Sequence, residues 1–430
     1  MSNSRLREVR RVVISWLNWR FMSRPARALQ NLSYYALIFL VFSSFPTRAQ
    51  VPEKQAASGL FDADRENIWN QIYNSFHVRA VSHESRFAED DLDSVVWPDS
   101  DYLRSSPSQK RAERLLYEFL STHAEDQVQD PLRRAIFQRE LWAAFDQLST
   151  SWPGSPPRPQ GLLLKLAQVI RRVALTQQQI EALPDNYNAA AASNTFPTAY
   201  DQEQPYKSFL PHDLLDDKGP WVALGKTAGV PIARQHEDEF SRSIFLVFLR
   251  LPGGRQATLS YLRRLNAQPK SVDQPVRFPA GTEVALLRRM MMIDRLGHLR
   301  ATPLTESLQI RVYREVPETS VRSADQAARE QHFFEILLSP ELLLKNSNGG
   351  LRGVAPGEKQ FAAFRMIFPV EVVTLAACAG CHSGSGVRSF GIGSRFRESV
   401  LPSESDAAIR AKLRRSDWAL LKSLWSEARD

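Results

Sequence analysis

Both cysteines of this 430-residue chain lie in one pentapeptide, Cys378-Ala379-Gly380-Cys381-His382. Side chains three apart on a helical turn project to the same side, so the two thiols face one way. Thiols so placed can bond at two points along one edge of a flat ring. His382, next in line, can then reach a metal at the ring centre from the same side. Ala379 and Gly380 are too small to obstruct the ring, and the Gly/Ser-rich stretch 383–394 lets the backbone pass close to it. The same residues admit two other chemistries. A Cys-x-x-Cys pair is also a redox dithiol. Such dithiols usually follow a strand and often an aromatic residue, whereas Ala376-Ala377 precede this one. Cys378, Cys381 and His382 with a distant histidine would make a zinc site, whose fourth ligand the sequence does not indicate.

The pentapeptide resembles the haem-attachment motif of c-type cytochromes. The resemblance covers these five residues and a helix-compatible lead-in, Val372 to Ala377. It implies that Cys378 and Cys381 are thioether attachment points and that His382 is the proximal iron ligand. It also implies one covalent haem c per chain and one-electron transfer with a redox partner protein. Two alternatives stay open: a haem peroxidase-like enzyme with an open distal side, and a thiol–disulfide oxidoreductase using Cys378 and Cys381.

The chain departs from small cytochromes of this family in its distal ligand. Those usually take a Met from far downstream, but none of the 48 residues after His382 is Met or His. A distal ligand must come from upstream. Met366, in the apolar run Phe361 to Phe368, is a candidate, with packing in the core as its plainer role. Met290, Met291 and Met292 fall in a predicted strand, where alternate residues face opposite sides, so at most one or two face any one ligand. Histidines 77, 83, 123, 212, 236, 298 and 332 are scattered, and each alone reads more simply as a surface or satisfied histidine.

The formal charge is +8, but its distribution gives no reason to expect a phosphate-binding surface, so no nucleic-acid partner is expected. Residues 1–49 hold eight arginines and one acid, leaving 47 basic and 46 acidic residues in the rest. The basic N-terminus instead precedes a nine-residue apolar core, 34–42, and the segment Thr47-Arg48-Ala49. That order is a secretory signal with cleavage after Ala49, and Met22 opens a tidier version of it. The core is short for a membrane span, which takes about 20 apolar residues. The expected location is therefore periplasmic or extracellular, with an uncleaved N-terminal anchor as the alternative and no other membrane contact. Two cysteines exclude a disulfide scaffold. Gly225-Lys226-Thr227 resembles the end of a phosphate loop, but Pro220 stands where its first glycine is needed. The acidic cluster Glu89-Asp90-Asp91-Asp93 lacks the glycine and terminal glutamate of a calcium loop.

Hydrophobic spacing predicts an α+β chain. A 3–4 rhythm marks helices around Ile68–Phe76, Leu115–Leu120, 131–148 and 162–174, and Thr176 with Gln179 makes a capping box. The stretch 185–219, rich in Asn, Asp and Pro, reads as a linker or long loop. Strands are predicted at 243–251, 283–293, 308–315 and 332–338, with a turn at Asn346–Gly350. A single amphipathic C-terminal helix would turn Leu413, Leu420, Leu421, Leu424 and Trp425 to one face. The expected organisation is a signal (1–49), a helical region (50–195), a mixed or β-rich domain (196–368) and a short helical haem segment (369–430).

Overall fold

A computed structural model describes residues 59–77, 79–82, 85–87, 106–150, 158–226, 231–267, 278–314, 331–361, 371–375, 378, 382 and 396–427. The signal-like segment 1–49, Met366 and Cys381 lie outside these residues, as do His83 and the acidic cluster at 89–93. The described residues belong to one compact unit, Ala56–Asp430. The chain is α+β: helices at both ends of this unit enclose a central antiparallel sheet. No helix among the described residues is long and apolar enough to cross a membrane.

The helical layer comes first. Helix α1 (Ile68–His77) is capped by the Asn67 side chain, which accepts from the Trp69 N–H at 2.9 Å. A short hairpin, β1 (Arg79–Ser82) and β2 (Ser85–Phe87), follows. Helix α2 (Ser106–Ser121) packs on α1 and on α4 (Gln160–Arg172). Between α2 and α4 runs α3 (Pro131–Ser149), started by Pro131 and by the Asp130 side chain, which accepts from the Arg133 N–H at 2.8 Å. Residues 134–146 of α3 are all buried, so this helix lies at the centre of the molecule rather than presenting one apolar stripe. Helix α5 (Gln177–Glu181) begins with the capping box read from Thr176 and Gln179. Helix α6 (Asn186–Ala192) lies inside the stretch expected to be a linker. That stretch instead packs down: Tyr187, Phe209, Leu210 and Leu214 are buried in the same core as α1–α4.

Seven strands form the main sheet, in the order β11-β3-β4-β5-β6-β7-β8. They are β3 (Val222–Lys226), β4 (Ser243–Arg250), β5 (Glu283–Ile293), β6 (Leu299–Tyr313), β7 (Gln331–Leu338), β8 (Leu351–Gly353) and β11 (Phe396–Glu398). Every pairing is antiparallel. Gly225 and Lys226 sit inside β3, paired with Arg397 and Phe396 of β11, so they form no phosphate loop. Helix α7 (Arg234–Glu239) joins β3 to β4, and α8 (Gly254–Ala267) leaves β4 where the sequence suggested only a turn. Helix α9 (Pro340–Leu344) follows β7. Next comes the Asn346–Gly350 turn, in which Asn346, Asn348, Gly349 and Gly350 all take positive φ.

Alternation along the strands builds two cores. Ile244, Leu246, Phe248, Ala285, Leu287, Leu308, Ile310, Phe334 and Ile336 face the helical layer. Val247, Leu249, Val284 and Tyr313 face the other way and cover one end of the second face together with Tyr261 and Leu262 of α8. Met290, Met291 and Met292 are all buried in the larger core, because register shifts between Arg288 and Met291 break the alternation there. Two buried amides repair that irregularity. Asn186 exchanges hydrogen bonds with the Thr305 backbone, donating to its carbonyl at 3.0 Å and accepting from its N–H at 2.6 Å. Gln138 of α3 does the same for Ile293, at 2.9 and 3.1 Å.

After β8 the chain makes a hairpin of β9 (Lys359–Phe361) and β10 (Glu371–Val373), then returns as β11 beside β3. Since β8 and β11 are opposite edges of the sheet, the segment between them spans the sheet's full width. The C-terminus is two helices, α10 (Leu401–Leu413) and α11 (Ser416–Glu427), not one. The break at Arg414–Arg415 leaves Leu413 exposed, while Leu421, Leu424 and Trp425 are buried as expected.

Charges buried between these layers are paired, because an unpaired ion there would cost several kcal/mol. Glu306 of β6 accepts from Arg139 of α3 at 2.7 Å, from Arg288 of β5 at 2.8 Å and from the Ser243 hydroxyl. Asp146 of α3 receives Arg242 and Lys412, both at 2.8 Å, and Lys412 reaches Asp417 at 3.2 Å. Burial alone would raise the Glu306 carboxyl, but the Arg139 and Arg288 guanidiniums outweigh it and hold it below the ordinary range. Burial also lowers the Lys412 ammonium against the pull of Asp146 and Asp417.

Candidate functional site

The β9–β10 hairpin delivers the chain to the cysteine motif. Its register pairs Glu371 with Phe361 and Val373 with Lys359. Thr374 extends it by donating its N–H to the Glu358 carbonyl at 3.0 Å. Val372 and Val373, expected in a helical lead-in, are therefore strand residues, and helical backbone starts only at Thr374 and Leu375. The His382 N–H then donates to the Cys378 carbonyl at 3.0 Å. That bond spans four residues and closes one α-helical turn, the local geometry the motif requires. Cys378 and His382 are both half-buried.

The turn is held against β7. The Gln331 side-chain amide donates to the His382 carbonyl at 2.6 Å, and the His382 ring centre lies 6.4 Å from that of Phe333. On the other side of His382 stands His236 of α7. The two imidazole centres are 6.0 Å apart and their planes differ by 7°. The His236 ring is 5.5 Å from that of Phe245 on β4. Strand register explains why these residues meet. Leu249, Val284, Arg311 and Phe333 are successive partners across β4 to β7, and Val247, Leu286, Gln309 and Glu335 form the next row. Phe245, one row further along, lies on the same face and is itself buried.

Helix α7 is short, and its end is pinned. Phe240 donates its N–H to the His236 carbonyl at 2.8 Å, and the Arg288 guanidinium lies 4.2 Å above the Phe240 ring. Arg288 is itself fixed by Glu306, so the buried ion cluster and the position of His236 are mechanically linked. Burial, with a smaller push from the Arg311 guanidinium, brings the His236 imidazole down to about 4. The ring is thus neutral at pH 7. Burial, with Asp238 adding to it, pushes the neighbouring Glu237 carboxyl up to about 8.

Comparison of the chain with protein-family models, curated proteins and solved structures finds no match.

The site must therefore be read from its own residues. Met290–Met292 are buried in the larger core, which includes the helical face of the sheet. His332 is also on that face, 5.5 Å from the Tyr200 ring. His123 and His298 are surface residues beside Glu125 and Asp294, and His212 is exposed. Among the described residues no three His, Cys, Asp or Glu side chains group closely enough for a metal ion. His236 is the residue that sequence reasoning passed over. Its helix carries four charged residues in six and no periodic signal, and only the strand order brings it to His382.

Proposed function

We propose that the chain is an exported, c-type cytochrome-like protein that carries one electron on a single covalent haem. Cys378 and Cys381 hold the ring through thioether bonds, and His382 is the proximal ligand. The bound haem supplies a one-electron iron couple, and the polypeptide sets its exposure and ligation. The observation that carries this reading is the helical turn closed from Cys378 to His382, with the imidazole against Phe333 of the sheet. Phe245 beside His236 and Phe333 beside His382 give the two rings an apolar backing, which suits a porphyrin better than a hydrated dithiol. Electrons would enter from one redox protein and leave to another outside the cytoplasm. The test is a pyridine haemochrome spectrum on protein exported by a host with cytochrome c maturation. One haem per chain with both vinyl groups saturated is the expected result. Protein that is exported and folded but carries no haem despite active maturation sinks the proposal.

A further inference from the structure

Resting on that reading, we infer that His236 is the sixth ligand of the iron, so that the haem is held between two imidazoles, His382 and His236. Three observations point to it. The rings are parallel within 7° with centres 6.0 Å apart. A metal bonded to one nitrogen of each imidazole, at about 2 Å per bond and with about 1 Å from nitrogen to ring centre, places the centres at about that separation. Among the described residues the other candidates are engaged elsewhere: Met290–Met292 are buried in the larger core and His332 packs against Tyr200. Finally, His236 stands on a helix whose end is anchored through Phe240 to the Arg288–Glu306 pair, so the ligand is held in place rather than swinging on a surface loop.

Two neutral nitrogen ligands stabilise ferric iron more than a nitrogen–thioether pair does, which keeps the reduction potential below that of a Met/His haem. A filled sixth position also argues against peroxide or gas chemistry at this iron. The protein would be an electron carrier for low-potential partners.

The experiment uses the exported, haem-loaded full chain and reads spectra rather than activity. Wild-type protein is expected to be low-spin in both oxidation states. Its ferric electron paramagnetic resonance should be of the two-imidazole type, and the reduced form should resist carbon monoxide. His236→Ala is expected to keep the covalent haem, become high-spin and bind carbon monoxide at once. His236→Met should restore a low-spin spectrum at a raised potential. Wild-type protein that is high-spin, or that binds carbon monoxide freely, overturns the inference and leaves the haem reading intact. So does a His236→Ala spectrum identical to wild type, which would assign the sixth position to another residue, with the two rings simply packed together. If His236→Ala does not fold, the ligand signature of the unaltered protein decides alone. Absence of haem from the wild type is the separate failure of the functional proposal.

Discussion

A hydrogen bond from the buried Gln331 amide to the His382 carbonyl links the Cys378–His382 turn to the sheet. Replacing Gln331 by Leu keeps the bulk and removes the donor, which leaves that carbonyl without its partner at a cost of about 0.5–1.5 kcal/mol. We expect Gln331→Leu to retain haem but lose the low-spin spectrum at a lower temperature than wild type, with global unfolding by circular dichroism nearly unchanged. Coincident shifts in both signals would show that Gln331 supports the fold and not the turn. His382→Ala removes the proximal nitrogen and should abolish the low-spin spectrum outright. Thiol chemistry at Cys378 that survives this change with full activity would instead favour the oxidoreductase alternative.

At the scale of elements, the buried ions make sharper predictions than any surface pair. Arg139→Leu leaves Glu306 with Arg288 as its remaining cationic partner at a fully buried position. Breaking such a pair costs roughly 3–5 kcal/mol, measurable as a fall in the urea midpoint. A change under about 1 kcal/mol would mean that the cluster relaxes or admits water. The same cluster sets an acid limit. Glu306 is held below its ordinary value, so its stabilisation is complete above the unfolded-state value of about 4.3 and is lost as pH falls through the lower folded value. The urea midpoint of wild type should be flat near neutrality and fall steeply below about pH 4. The elements themselves were largely legible in the sequence. Strand β5 falls on the predicted 283–293, and the helices follow the 3–4 spacing of their apolar residues, because periodic burial is written locally. What escaped was non-local. Helix α8 begins at Gly254, and Pro252-Gly253-Gly254 reads in the sequence only as the end of a strand, although Thr258, Tyr261 and Leu262 carry the buried face. The C-terminal helix breaks at Arg414–Arg415 because Lys412 and Asp417 must both turn inward and meet.

At the scale of the whole molecule, half of the site was legible and half was not. Cys378 and His382 announce themselves because the motif is a spacing along the chain, legible wherever it occurs. His236 does not, because its place is set by strand order and by the pinning of α7, neither of which leaves a mark near residue 236. The charge distribution carries the remaining prediction. Cleavage after Ala49 removes eight arginines and one acid, so mature protein should begin at Gln50 and be nearly neutral. N-terminal sequencing of the exported form checks this, and an intact 1–49 segment in membrane fractions would establish an anchor.

The segment bearing the thiols joins opposite edges of the sheet, and its one described ladder with that sheet is β11 on β3. Six of the seven strands, with the helical layer behind them, are complete without it. This has a consequence for the order of assembly. Under the proposed haem attachment, the scaffold would finish folding while the thiols are still accessible, and ring insertion would be a late closing step. Haem-free protein should therefore show native amide protection across β4 to β7 and fast exchange around Cys378 and His382.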